Sequence, residues 1–101
     1  MGLGIALTDC NGKILESVHD PKNFLHRVLP PRDEASESVL SKIDWYGDTY
    51  FNYLQIPRFL GEWDQLERHA KSPEEKALID DVRRLAAQAK KDSGLLRFIG
   101  D

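Results

Sequence analysis

Asp44-Trp45-Tyr46-Gly47-Asp48-Thr49-Tyr50-Phe51-Asn52-Tyr53 packs five aromatic side chains and two carboxylates around a glycine into ten residues. A segment this dense in rings must either plug a core or form a recognition surface. Thr49 to Ile56 reads as helical, with Tyr50, Phe51 and Leu54 inward and Pro57 breaking or kinking the helix. Adjacent helical positions diverge by about 100°, so Tyr50, Phe51 and Tyr53 cannot all point inward. With Trp45 and Tyr46 beside them, one or two of these rings are expected at the surface.

Downstream, the helical pattern is plain. Phe59, Trp63, Leu66 and Ala70 recur at steps of four, three and four, which predicts a helix over 58–70 with one apolar stripe. Ser72-Pro73-Glu74-Glu75 then supplies a start signal. Ser72 caps, Pro73 takes the first helical position and Glu75 closes a capping box. The next stripe, Leu78, Val82, Leu85 and Ala89, predicts a helix over 73–91. Lys90 and Lys91 complement its dipole and Gly94 stops it. Only Lys71 and Ser72 separate the two helices, so they should lie antiparallel as a hairpin. The tail Leu95-Leu96-Arg97-Phe98-Ile99 reads as a strand returning to a sheet.

Upstream, Leu3, Ile5 and Leu7 alternate with Gly4, Ala6 and Thr8, the period of a strand with one apolar face. Asp9-Cys10-Asn11-Gly12 and a second strand from Lys13 to Val18 complete a hairpin. A three-residue loop over 10–12 sets Leu15 opposite Leu7, and Gly12 suits the left-handed position of a type I turn with a glycine bulge. A two-residue loop would set Glu16 there instead. Asp20-Pro21 opens a short helix carrying Phe24, Leu25, Val28 and Leu29, which Pro30-Pro31 ends. Residues 30–38 read as a polar loop and residues 39–44 as a candidate third strand.

The predicted fold is therefore α+β. A small antiparallel sheet from the N-terminal hairpin, the C-terminal strand and the 39–44 strand packs against the helical hairpin 58–70 and 73–91. A chain of 101 residues reads as one domain, 1–101, large enough to bury a single core. Its 14 basic and 17 acidic residues leave a net charge of −3, with no basic block to hold a phosphate backbone. Nucleic acid is thus not the expected partner. No apolar run approaches the ~18 residues needed to span a bilayer, so no membrane partner is expected. One cysteine rules out an intrachain disulfide framework, and the expected address is the cytoplasm.

No cofactor, metal or catalytic motif stands out. Gly2-Leu3-Gly4 lacks the third glycine of a phosphate cradle, and Cys10 has no basic neighbour to activate it. His19, His26 and His69 are scattered and meet no nucleophile motif. Asp44 and Asp48 could bind a hard cation or form an acid and base pair. The plainer expectation is that Asp48 caps a helix and Asp44 sits in a turn. Asp64–Arg68, Glu67–Lys71 and Asp80–Arg84 lie four apart with the acid first, a pattern of paired charges on helix faces. Asp44, Trp45, Tyr46, Asp48 and Asn52 are the candidate partner-binding residues. Rings supply desolvated area and carboxylates steer toward a basic protein.

The run Asp44 to Asn52, together with Phe59-Leu60-Gly61-Glu62-Trp63 and the ending Arg97-Phe98-Ile99-Gly100-Asp101, resembles a group of small uncharacterised bacterial proteins. The resemblance covers most of the chain. It implies a stand-alone bacterial domain and carries over no catalytic residue. In size and acidity the chain also resembles immunity proteins, which neutralise toxins. The expected function is a non-enzymatic protein-binding domain of that kind. The alternatives are a small metal-dependent hydrolase or a small-molecule sensor built on the Asp44/Asp48 region.

Overall fold

The structure, a computed structural model, describes residues 3–20, 23–33 and 35–100. In chain order the elements are β1 (Gly4–Thr8), β2 (Ile14–His19), α1 (Phe24–Val28), a 3-10 turn (Leu40–Lys42), β3 (Asp48–Asn52), α2 (Ile56–Trp63), a 3-10 segment (Asp64–His69), α3 (Pro73–Lys91) and β4 (Leu95–Ile99). The four strands form one sheet in the order β2-β1-β4-β3, with every neighbouring pair antiparallel. The fold is α+β, with the helical hairpin covering one face of the sheet.

α3 follows the local signals residue for residue. Ser72 Oγ accepts from the Glu75 N–H, and Glu75 Oε1 accepts from the Ser72 N–H, so both halves of the capping box are made. At its other end Ser93 takes the left-handed conformation (φ 54°). The Gly94 N–H then closes back on the Ala89 carbonyl at 2.8 Å. Gly94 is needed for space, since a Cβ there would meet the Thr8 carbonyl oxygen at 2.4 Å.

The core lies between α2, α3 and the covered sheet face. Phe59, Trp63, Leu66 and Ala70 are buried, as are Leu78, Val82, Leu85 and Ala89. The rings of Phe59 and Trp63 stack at 5.3 Å, and Phe98 and Phe51 close around them. Each such fully buried side chain contributes about 1.5–3 kcal/mol relative to exposure. Trp63 also satisfies its one polar atom, donating Nε1–H to the Ile79 carbonyl at 3.1 Å.

Several expectations are corrected. Residues 39–44 are not a strand; they hold the 3-10 turn, and the third strand is β3, later in the chain. Thr49 to Asn52 is therefore extended, not helical. A strand buries every second side chain, so Phe51 alone goes inside, while Tyr50 and Leu54 are exposed. The edge of β4 supplies the hydrogen-bonding partner that makes this conformation pay. Pro57 does not end a helix but occupies the first turn of α2, where its missing N–H has no partner to lose. The helix expected over 58–70 starts at Ile56 and tightens into 3-10 winding after Trp63.

The hairpin turn is the expected three-residue loop. The Asp9 N–H donates to the Lys13 carbonyl, the Gly12 N–H donates to the Asp9 carbonyl, and Gly12 has φ 88°. The register beyond it differs. Thr8 pairs with Ile14, an irregularity follows, and Leu7 faces Glu16 instead of Leu15. The irregularity places one extra residue, Leu15, on β2, and Glu16 beyond it forms an ion pair with Arg84 of α3. Ile14 and Leu15 are left exposed.

α1 begins at Phe24 with Asn23, not Asp20, at its N-cap position, and Asp20 serves the helix start from one turn further back. Its two carboxylate oxygens accept from the N–H groups of Phe24 (3.0 Å) and Leu25 (2.7 Å). Pro21, expected at the first helical position, lies outside the described residues. The helix charges also pair differently from the i,i+4 pattern. Asp64 and Glu67 reach across to Arg83 of α3, and Asp80, three residues before Arg83 on the same helix, joins them.

Candidate functional site

The segment from residue 44 to 54 is built as a turn, an edge strand and a second turn. Asp44 organises the first turn. Its Oδ1 accepts from the Tyr46 N–H at 2.9 Å, and its own N–H donates to Thr49 Oγ1 at 2.8 Å. The Gly100 N–H donates to the Gly47 carbonyl at 2.7 Å, which fastens the turn to the chain beyond β4.

Trp45 leaves this turn toward α1. It is half-buried against the core, and its ring meets that of His26 edge-on at 4.9 Å. Tyr46 leaves it toward solvent and is 85% exposed. β3 follows as an outer strand of the sheet, with Asp48, Tyr50 and Asn52 on the face away from the helices. Tyr50 stands opposite Arg97 in the register. The Arg97 guanidinium donates to Asp48 Oδ2 at 2.6 Å and lies 5.5 Å from the Tyr50 ring centre. Its hydrogen bond to Asp48 raises Arg97 above its ordinary pKa. Asn52 ends the strand. Its Oδ1 accepts from the N–H groups of Leu54 and Gln55, and its own N–H donates to Gln55 Oε1. Tyr53 and Leu54, on this turn, are exposed.

The five residues named from sequence therefore divide. Trp45 and Tyr46 present ring surface. Asp44 is held in its turn and lies 3.5 Å from Arg32. Asp48 does not cap a helix; it begins β3 and pairs with Arg97. Asn52 serves the turn into α2. Among the described residues no three His, Cys, Asp or Glu side chains come together in a way that could hold a metal ion. His19 lies on β2, His26 on α1 and His69 at the end of the 3-10 segment, so the histidines stay on separate elements. Cys10 is exposed in the hairpin turn.

Sequence reasoning missed Tyr50 and Leu54 as surface, because it placed them on the inner side of a helix. No local signal could have found Tyr50, because Thr49 to Asn52 is too short a run for alternation to separate a strand from a helix turn. That reasoning also missed Glu62, which ties α2 to the 38–40 segment. Glu62 accepts from Ser38 Oγ (2.6 Å) and from the N–H groups of Val39 (3.0 Å) and Leu40 (3.2 Å). Partial burial pushes the Glu62 carboxyl up, but these hydrogen bonds and nearby Arg58 outweigh it and hold the group below its ordinary pKa.

No protein-family model matches this chain, and no curated protein or solved structure matches it either. Among the described residues no helix is long and apolar enough to cross a membrane.

Proposed function

We propose that this chain is a non-enzymatic protein-binding domain that docks its partner on the 44–54 surface. One observation carries the proposal. Of six exposed large apolar or aromatic side chains among the described residues, four are Tyr46, Tyr50, Tyr53 and Leu54, within nine residues of one another. Tyrosine brings large contact area at low entropic cost, and such side chains concentrate binding energy at interfaces. Clustered exposure of this kind marks interaction sites on soluble domains. Arg97 and Arg32, which hold Asp48 and Asp44, give the surface charges of both signs. The chain's net charge of −3 favours approach of a basic partner.

A toxin inhibited in the bacterial cytoplasm fits this picture through the resemblance in size and acidity to immunity proteins. A hydrolase built on Asp44 and Asp48 fits less well, because each carboxylate already holds an arginine and Asp44 also holds a turn.

The test uses Tyr46→Ala/Tyr53→Ala, which leaves the half-buried Trp45 in place. Wild type and variant are immobilised after circular dichroism shows equal folding, and each captures proteins from host lysate. A protein retained by wild type and lost by the variant supports the proposal. Identical captured sets end it.

A further inference from the structure

The sheet ends in β2 on one side and in β3, which belongs to the 44–54 surface, on the other. We propose that the outer edge of β2 pairs antiparallel with β2 of a second copy of this chain, joining two sheets about a two-fold axis near Ser17.

Backbone geometry supplies the edge. Along an antiparallel ladder, residues that exchange hydrogen bonds with the neighbouring strand alternate with residues that do not. The Asp20 N–H donates to the Leu3 carbonyl at 3.3 Å, so the hydrogen-bonded pairs that follow in the register are Ile5 with Val18 and Leu7 with Glu16. The N–H and carbonyl groups of Ser17 and His19 therefore point away from β1, to the side where the sheet stops. Every residue of β2 except the half-buried Val18 is exposed, so the strand stands open along its length.

The side chains leave this edge unguarded. Edge strands of soluble proteins are blunted by lysine, proline, unpaired charge or a bulge. Ile14–His19 holds neither lysine nor proline. Its bulge sits at Leu15, near the turn, and leaves Glu16 to His19 in regular register. Its one carboxylate, Glu16, is drawn onto α3, where Arg84 Nη1 donates to Glu16 Oε1 at 3.1 Å. Ile14 and Leu15 add exposed aliphatic surface beside it.

Charge favours a second copy over a foreign chain. With Glu16 paired, β2 offers a basic partner no unpaired carboxylate, whereas a copy of the same neutral, aliphatic strand needs none. An antiparallel copy also presents the same N–H and carbonyl groups in reverse order, so each donor meets an acceptor, as an isologous interface requires. Two strands this short fall at the weak end of interfaces, below about 1,200 Å² of buried surface, so the association is reversible. β2 and β3 are opposite edges, so the pair leaves both 44–54 surfaces free and stands or falls apart from the proposed docking there.

Sedimentation equilibrium tests this. The weight-average mass of wild type should rise toward twice that of one chain between about 10 μM and about 1 mM. Ser17→Pro removes an outward N–H and no bond to β1, a place where an edge strand tolerates proline, and it should stay monomeric over the same range. Where circular dichroism shows that Ser17→Pro is unfolded, Leu15→Lys decides in its place, with association weakened about tenfold by a charge on the edge. A wild type that stays monomeric at about 1 mM overturns the proposal, as does a deciding variant that associates as readily as wild type. A dimer lost in Tyr46→Ala/Tyr53→Ala also overturns it, because the copies would then meet through the 44–54 surface.

Discussion

Gly100 lies so close to Trp45 that a Cβ on it would stand 2.4 Å from the Trp45 carbonyl oxygen. The nearest atoms all belong to the backbone of Trp45 and Asp44, so no flexible side chain can give way. The turn that carries Tyr46 is thus seated on the chain just beyond β4. Gly100→Ala should cost about 1–3 kcal/mol through this overpacking, seen as a lower denaturation midpoint. It should also move the Trp45 indole resonance. An unchanged midpoint would show that the turn is not seated there.

Gly61 behaves in the opposite way. It lies inside α2, it is exposed, and a Cβ on it would meet nothing within 4 Å. Gly61→Ala should therefore stabilise the protein by about 0.5–1 kcal/mol, by removing backbone freedom from the unfolded chain. The same denaturation measurement checks both glycines, and opposite signs are expected.

Glu62 couples stability to pH. Its carboxyl is lowered in the folded protein, so the folded state favours the charged form more than the unfolded chain does. That contribution is complete above the ordinary carboxylate pKa and drains away as pH falls through the lowered folded value. Glu62→Gln should cost about 1–2 kcal/mol at pH 7, a figure kept small by solvent screening of a partly exposed group. The difference between wild type and variant should shrink as the pH is lowered below about 4.5, measured by urea denaturation at several pH values. A difference that stays constant with pH would mean that Glu62 acts by shape and not by charge.

Tyr46 is 85% exposed, and its side chain supports nothing in the fold. Tyr46→Ala should change stability by less than about 0.5 kcal/mol. Thermal unfolding checks this, and a large loss would recast Tyr46 as a structural residue.

The parts of this molecule legible in its sequence are those whose causes are local. α3 begins and ends where expected because Ser72, Pro73 and Glu75 satisfy its first N–H groups from within four residues, and because Ser93 and Gly94 close its far end. The hairpin turn was legible for the same reason, since Asp9 and Gly12 hold it together by themselves. The stripes of α2 and α3 named their buried faces through spacing alone.

Tertiary structure decided what needed a partner distant in the chain. Thr49 to Asn52 is too short for its period to tell strand from helix, and the free edge of β4, more than forty residues later, settles it as β3. Leu7 faces Glu16, which pairs with Arg84 on α3, 68 residues later. Arg83 gathers Asp64 and Glu67, Glu62 holds the 38–40 turn, and Trp45 finds His26, each across gaps in sequence that no short-range pattern spans. Local hydrogen bonds are written in neighbouring residues; which side chains share a surface is fixed only once packing of the core has brought the elements together.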